Sequence, residues 1–409
     1  MTDHAPRRLR GRSYAETRSA VLDLIRSSET VSRTELSLRS SLTEVTIAKI
    51  VKELLSEGVI IEAGRGQSTG GKRPTLFRLN TGVLYSVGVS LDSARVVIAL
   101  CGLNGKLIER VDLPGHGSEP PPDVMTRVAK SIQQLLARRG LTRDSVVGVG
   151  VASTGRRRGS LGWGAYEEMK DVWEAFDIAA ELRSRCGLVV IVENDANCVA
   201  LGAFWAGGND APRDFVTVYM STGIGAGIVI AGAIFRGASD NAGEIGHIVV
   251  EPAGLECWCG SRGCLETVGP PKGIVLQVRA DPELFALFDG GEARDEAAVY
   301  ARVLKGLADG VPQAEALIDL SARRVATALL GVVNALDLDL IQLTGPGFAP
   351  AGERYRAELQ TAVDRAAFSR RVHPVAVQLG RTGPDVAAMG AASVVFHSSL
   401  TPHHLSNRM

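Results

Sequence analysis

His247 is followed after nine residues by Cys257-Trp-Cys259-Gly-Ser-Arg-Gly-Cys264, so three of the six cysteines fall within eight residues. Three thiolates and one imidazole form a tetrahedral set for Zn2+, and a closed set of that kind is structural rather than catalytic. Few features constrain a fold more, because four side chains must converge on one point. Gly260 and Gly263 let the backbone turn the thiolates inward. The competing reading, free buried thiols, fits poorly with a Cys-x-Cys pair in a Gly-rich loop. One structural zinc per chain on His247, Cys257, Cys259 and Cys264 is expected. Cys101, Cys186 and Cys198 lie in apolar surroundings and read as core.

The other cysteines form no disulfide framework in a chain of 409 residues, 45% of them hydrophobic. A reducing, cytoplasmic compartment is expected. No apolar run approaches the ~18 residues of a membrane span. The basic start, residues 1–18, is followed by no apolar stretch of the secretory kind. Length alone suggests several domains at roughly 100–200 residues each. The net charge of zero is unevenly spread: residues 1–80 carry a net +5 and the remainder −5. A basic first segment on an acidic body suggests a nucleic-acid reader joined to something else.

Residues 14–80 predict three short helices and a hairpin. Tyr14–Ser27 carries the stripe Val21, Leu22, Leu24 and Ile25, and Ser32 with Glu35 has the capping-box spacing. Thr43 opens a third helix whose Ile47, Ile50, Val51 and Leu54 share one face. Strands at Val59–Glu62 and Thr75–Leu79 flank the loop 63–74, which holds four glycines with Arg65, Lys72 and Arg73. This is the order of a winged helix-turn-helix. A small dimerisation bundle is the alternative, but such a loop packs poorly and serves well as a basic wing. Thr43, Glu44, Thr46, Lys49, Lys52, Arg65, Lys72 and Arg73 are the candidate DNA contacts, by charge for affinity and by side-chain donors for selection.

From Val83 the pattern is α/β. Strands are expected at Leu84–Ser90, Arg95–Cys101 and, after the Asn104-Gly105 turn, Leu107–Asp112. A Pro-rich loop at Gly117–Asp123 precedes a helix at Val124–Arg139. Val146–Val151 and Val189–Val192 are short apolar strands of the buried kind. Phe215–Met220, Ala226–Ile230 and Ala233–Phe235 repeat the strand–turn–strand–turn–strand plan of 84–112, and two copies of one unit predict two lobes with a cleft. A helix is expected at Pro384–Phe396. The expected division is 1–80 for the winged domain, 81–197 for lobe 1 completed by 384–397, 198–383 for lobe 2 with the zinc motif, and a disordered tail at 398–409.

Glu193-Asn-Asp-Ala-Asn197, Glu244-Ile-Gly-His247 and Glu266 supply carboxylates and amides suited to a polyol, since ionised carboxylates accept from paired hydroxyls and Asn also donates. Asn194 and Asp195 have a plainer reading as the N-cap of a helix over 196–206. Glu244 and Glu266 have one as an outer shell of the metal.

Together with Ser221-Thr-Gly-Ile-Gly-Ala-Gly227 and Gly243-Glu-Ile-Gly-His247, these segments and the cysteine motif resemble the ROK family of repressors and sugar kinases, over nearly the whole chain. The winged segment is similar to that of the repressor branch. The resemblance implies a two-lobed, actin-like, hexokinase-type (ribonuclease H-like) body, dimeric or tetrameric. It implies a sugar pocket lined by Asn194, Asp195, Glu244, His247 and Glu266. In the family's kinases the residue matching Asp195 is the base on the attacking hydroxyl.

The nucleotide half departs from that pattern. Where active relatives carry Asp-x-Gly-Gly-Thr, this chain reads Ser90-Leu-Asp92-Ser-Ala94, and Pro346 interrupts the glycines of Leu343-Thr-Gly-Pro-Gly347. Phosphoryl transfer is almost wholly positioning and charge neutralisation, so no kinase activity is expected and Asp195 is a vestigial base. Glu167–Trp173 and the Arg156-Arg-Arg158 run also depart from the family pattern; the arginines are either a solvated face or a site for phosphate or an acidic sugar. The expectation is a sugar-responsive repressor that binds palindromic operator DNA and a sugar or sugar phosphate, as a homodimer or homotetramer. A kinase with a DNA head, and a regulator controlled by a partner protein, are the rival classes.

Overall fold

The computed structural model describes residues 13–67, 73–154, 172–173, 175–207, 212–221, 223–291 and 296–400. Lys72, Arg156–Arg158, residues 167–171 and residues 401–409 lie outside them.

The head consists of α1 (Tyr14–Arg26), β1 (Val31–Ser32), α2 (Arg33–Ser40), α3 (Glu44–Ser56), β2 (Ile60–Arg65) and β3 (Thr75–Leu79). Each helix starts where a hydroxyl can serve an orphan amide. Ser13 with Glu16 and Ser32 with Glu35 close full capping boxes, and Thr43 accepts from the Thr46 amide. The strands pair in the order β1-β3-β2, which makes β2 and β3 the wing.

Next come β4 (Tyr85–Leu91), β5 (Arg95–Gly102), β6 (Leu107–Pro114), α4 (Pro121–Arg138), β7 (Val146–Ser153), α5 (Ile178–Cys186), β8 (Val190–Asn194) and α6 (Asp195–Ala206). The helix expected from Val124 begins at Pro121, because proline lacks only an N–H that the first turn does not use. After them follow β9 (Phe215–Met220), β10 (Ile224–Ile230), β11 (Ala233–Ile234), α7 (Leu265–Val268), α8 (Lys272–Ala280), α9 (Pro282–Phe288), α10 (Glu296–Ala308) and α11 (Pro312–Leu336). The chain continues with β12 (Leu340–Thr344), α12 (Gly352–Ala366), β13 (Ala376–Leu379) and α13 (Val386–Leu400).

The two five-stranded sheets run β6-β5-β4-β7-β8 and β11-β10-β9-β12-β13. Each is an antiparallel meander extended by two parallel strands. The repeat legible in 84–112 and 215–235 is thus one topology used twice.

The described residues divide into two compact units, one taking those up to 154, 172–207 and 387–400, the other those of 212–386. The boundary expected after residue 197 therefore falls beyond α6. That helix stays in the first unit because its Gly202 abuts Gly390 of α13, where a Cβ would stand 2.9 Å from the Gly390 Cα. Ser398–Leu400, expected in a tail, continue α13.

In the first unit α13 lies directly on the sheet. A Cβ on Gly88 of β4 would stand 1.7 Å from the Ala388 carbonyl oxygen, and one on Gly150 of β7 would stand 2.0 Å from that of Ala391. The alternate residues Val87, Val89, Val149 and Val151 pack with α4 and α5 on the opposite face. The head shares a core with this unit, since Val21, Leu22, Ile25 and Ile47 cluster with Leu103, Trp205 and Phe396. In the second unit α11 supplies Leu317, Ile318, Val325 and Leu329 to the core over β9, β10 and β12. There the buried Tyr355 hydroxyl donates to Ser321 Oγ at 2.9 Å. Among the described residues no helix is long and apolar enough to cross a membrane.

Candidate functional site

His247 ends a single turn of 3-10 helix, Ile245–His247, and the loop behind it folds back through the bridges Val249–Cys264 and Glu256–Arg262. Gly263 makes the return possible: its φ is +66°, and a Cβ would lie 1.5 Å from the Glu251 carbonyl oxygen. The ligand atoms of His247, Cys257, Cys259 and Cys264 then all lie within 4.8 Å of one another.

Zinc bonds of about 2.3 Å to sulfur and 2.0–2.1 Å to nitrogen set tetrahedral edges of roughly 3.5–3.8 Å. Cys257 Sγ stands 3.5 Å from His247 Nδ1, and Cys259 Sγ stands 3.6 Å from Cys264 Sγ. The four residues fit such an ion. Burial pushes the Cys264 thiol up to about 12, with Cys259 and Cys257 adding to it, and burial raises Cys257 as well. Burial also acts on Cys259, but the Ser261 amide and the other two thiols outweigh it and lower that group. Three adjacent thiolates need a cation, and this is the chemistry the donor set supplies.

Trp258, between the first two cysteines, was missed by sequence reasoning. Its ring meets His247 edge-on, with centroids 4.7 Å apart, and it hydrogen-bonds Glu266. Its place within the cysteine motif was the available signal. Glu266, on the one-turn α7, is largely withdrawn from water, which raises its carboxyl, while Lys272 and Trp258 pull the other way. Two glycines admit the carboxylate: a Cβ on Gly246 would stand 2.9 Å from Glu266 Oε2, and one on Gly223 would stand 3.6 Å away. Glu244 opens the 3-10 turn, and its carbonyl accepts from the His247 amide at 3.1 Å. Glu244, His247 and Glu266 thus belong to one loop system of the second unit.

Asn194 and Asp195 stand in the first unit, at the junction of β8 and α6. Asn194 Oδ1 caps α6 by accepting from the Asn197 amide at 3.2 Å, so the plainer reading holds for that atom, and its Nδ2 is a second, donating group. Asp195 Oδ1 accepts from the Ala196 amide at 2.8 Å. The buried Glu193 holds the turn from below, accepting from the Asn194 amide at 3.0 Å and Asn197 Nδ2 at 3.2 Å.

The sequence profile of the ROK family matches residues 86–398. This chain belongs to the ROK family. It is 23% identical over 383 residues to the xylose repressor of Caldicellulosiruptor bescii, covering 93% of this chain and 95% of that one. It is 26% identical over 319 residues to the glucokinase of Halalkalibacterium halodurans, covering 76% of this chain and 94% of the kinase. Among solved structures, a ROK family transcriptional regulator described as a homologue of the Escherichia coli MLC protein superposes with a TM-score of 0.70 at 23% identity, covering 96% of this chain and 98% of that one. The fold is that of a ROK protein.

ROK proteins thus include repressors and kinases, and the first hairpin of this ROK chain bears on the difference. Asp92 Oδ1 accepts from the Ala94 amide at 2.9 Å, so its carboxylate closes the turn between β4 and β5. The segment 115–117 lies across it: the Gly117 amide donates to Ser93 O at 3.1 Å, and a Cβ on Gly115 would stand 2.0 Å from that oxygen. Ordinary backbone and a carboxylate thus close this turn.

On the head, Thr43, Glu44, Lys49, Lys52, Arg65 and Arg73 are exposed, and Thr46 is half-buried. Arg65 pairs opposite Thr75 at the base of the wing, where the Gly66 amide donates to Pro74 O at 2.9 Å. Thr43 and Thr46 share a hydrogen bond of 2.9 Å, and Lys49 Nζ lies 4.4 Å from the centre of the Tyr14 ring. Sequence reasoning passed over Val45, which is 80% exposed on the first turn of α3. Its position off the apolar stripe was the signal.

Proposed function

We propose that this chain is a sugar-responsive DNA-binding transcriptional regulator, a repressor of carbohydrate-utilisation genes, with one structural zinc and no kinase activity. The observation that carries the reading is a basic winged helix built into the core of a ROK body that keeps Asn194, Asp195, Glu244, His247 and Glu266. The likeness to a xylose repressor over 93% of the chain supports it, whereas the glucokinase matches only 76%.

In this reading Asp195, Glu244 and Glu266 accept from sugar hydroxyls, and Asn194 donates through the amide nitrogen that capping leaves over. His247 gives Nδ1 to Zn2+ and presents Nε2–H to the sugar; the bound ion supplies a fixed ring orientation. The first turn argues against phosphoryl transfer, since Ser90 stands at the position of the pattern's acid and Asp92 at that of its first glycine, where a carboxylate repels the groups that the reaction must hold. Arg65 and Arg73 on the wing, and Lys72 in the sequence between its strands, with Thr43, Glu44, Thr46, Lys49 and Lys52 on or beside α3, meet an operator. A palindromic site read by a two-fold dimer, or by a tetramer, in the cytoplasm is the arrangement such a head serves.

The test is thermal shift and calorimetry on zinc-loaded protein with D-xylose, D-glucose, N-acetyl-D-glucosamine and their phosphates, with and without Mg-ATP. One of these sugars is expected to bind the native chain and to lose at least about tenfold in affinity with Asp195→Ala, as deletion of a charged hydrogen-bond partner costs about 1.5–3 kcal/mol. Equal binding by the two proteins removes Asp195 from the site. ADP release overturns the non-enzymatic assignment, and silence across the panel turns the reading toward control by a partner protein.

A further inference from the structure

Arg26, the last residue of α1, reaches from the head to the end of α6. Its Nη1 donates to the carbonyl oxygens of Phe204, at 3.1 Å, and Trp205. Its guanidinium lies 5.0 and 4.9 Å from the centres of those two rings, and its Nε pairs with Asp23 at 3.3 Å. The Arg26 and Asp23 side chains are 4% and 8% exposed. A cation on the last carbonyls of a helix satisfies acceptors that the helix cannot, and it does so at the negative end of the helix dipole.

The other end of α6 is the Asn194–Asp195 junction. Twelve residues separate the two ends by about 18 Å of hydrogen-bonded rod. The rod is gripped between them, since a Cβ on Gly390 of α13 would stand 2.2 Å from the Cys198 carbonyl oxygen and one on Gly202 would stand 2.9 Å from Gly390 Cα. Backbone against backbone leaves no side chain to absorb a tilt. At the far end Trp205 Nε1 donates to Leu103 O at 2.9 Å, and the ring stacks on Phe396 within the core shared with α1 and α3.

We propose that α6 carries sugar occupancy at Asp195 to the DNA-reading head, and that Arg26 is the positioning residue through which the head follows it. The inference rests on the sugar-responsive reading above. A ligand that favours one orientation of the Asp195 end displaces the rod together with the α13 gripped against it, and the two carbonyls take Arg26, α1 and the α3 packed on it along. Arg26 touches neither sugar nor DNA in this scheme, so its loss lowers the coupling to what the apolar Trp205–Phe396 contact alone transmits and leaves both binding events.

The experiment uses the full zinc-loaded chain and a duplex selected by it from a random-sequence pool. Affinity for that duplex is measured with and without D-xylose, D-glucose, N-acetyl-D-glucosamine or their phosphates, and sugar affinity is measured by calorimetry. The wild-type chain is expected to change its duplex affinity at least about fivefold with one of these ligands, the lower range of allosteric coupling. Arg26→Met with Asp23→Asn keeps the apolar stem and leaves no unpaired carboxylate. It is expected to keep its sugar affinity and its sugar-free duplex affinity while the response falls below about twofold. Arg26→Lys, which keeps the charge but has no planar fork for two carbonyls, serves if the double variant does not fold and is expected to lose most of the response. An undiminished response in a folded variant overturns the proposal alone. A wild-type chain that neither the three sugars nor their phosphates affect overturns the functional reading, and the proposal with it.

Discussion

Gly390 of α13 and Cys198 of α6 are in backbone contact: a Cβ on the glycine would stand 2.2 Å from the cysteine carbonyl oxygen. Gly390→Ala must therefore push two buried helices apart. It is expected to cost about 1–3 kcal/mol, the range of core overpacking, read as a lower urea midpoint. Gly331, in the interior of α11, has nothing within 4 Å of a built Cβ. There Gly331→Ala is expected to stabilise by up to about 1 kcal/mol through helix propensity. Equal effects at the two sites would show that the Gly390 contact relaxes freely.

Purified protein is expected to contain one zinc per chain by elemental analysis, and Cys259→Ser to lose it. Metal loss is also expected to lower the thermal midpoint of the second unit, since the ion is what holds three thiolates together. A full equivalent of zinc in the variant would mean that the ligand set is different.

Lys52→Ala and Arg73→Ala remove exposed charges, one from α3 and one from the wing. Each is expected to weaken binding to the selected duplex on every sequence variant alike and to reduce the salt slope by about 1. Unchanged slopes would place the duplex elsewhere and favour a dimerisation role for the head.

His116 is 4% exposed, its ring 4.9 Å from that of Trp173. Burial lowers its pKa, and the Gly117 carbonyl and Asp92 oppose that only in part. The unfolded chain therefore takes up a proton at higher pH than the native one does. Stability is lost as pH falls below about 6.5 and levels off once the native ring also titrates. His116→Phe is expected to flatten urea midpoints over that interval; an unaltered slope would assign the pH dependence to other groups.

The metal set, two of the three helix caps of the head (Ser32 and Thr43, but not Ser13) and the hairpin at Asn104-Gly105 were legible in the sequence because their partners are local. His247 and Cys264 lie seventeen residues apart, and each cap joins a hydroxyl to an amide three residues on. The doubled meander was legible for the same reason, since apolar runs and turns alternate within 84–112 and again within 215–235. The capping function of Asn194 was legible as one of two readings, and the structure realised it without using the amide nitrogen.

Much of what arranges these parts has no local signal. Arg26 meets Phe204 across 178 residues of chain, so its place in the sequence marks only the end of an amphipathic helix. The allegiance of α6 to the first unit depends on Gly202 meeting Gly390, and the closed turn at Asp92 depends on residues 115–117 lying over it. Hydrogen bonds and periodicities between near neighbours are written in order along the chain. Backbone contacts between distant glycines, and a buried cation shared by two elements, exist only once the chain has returned on itself.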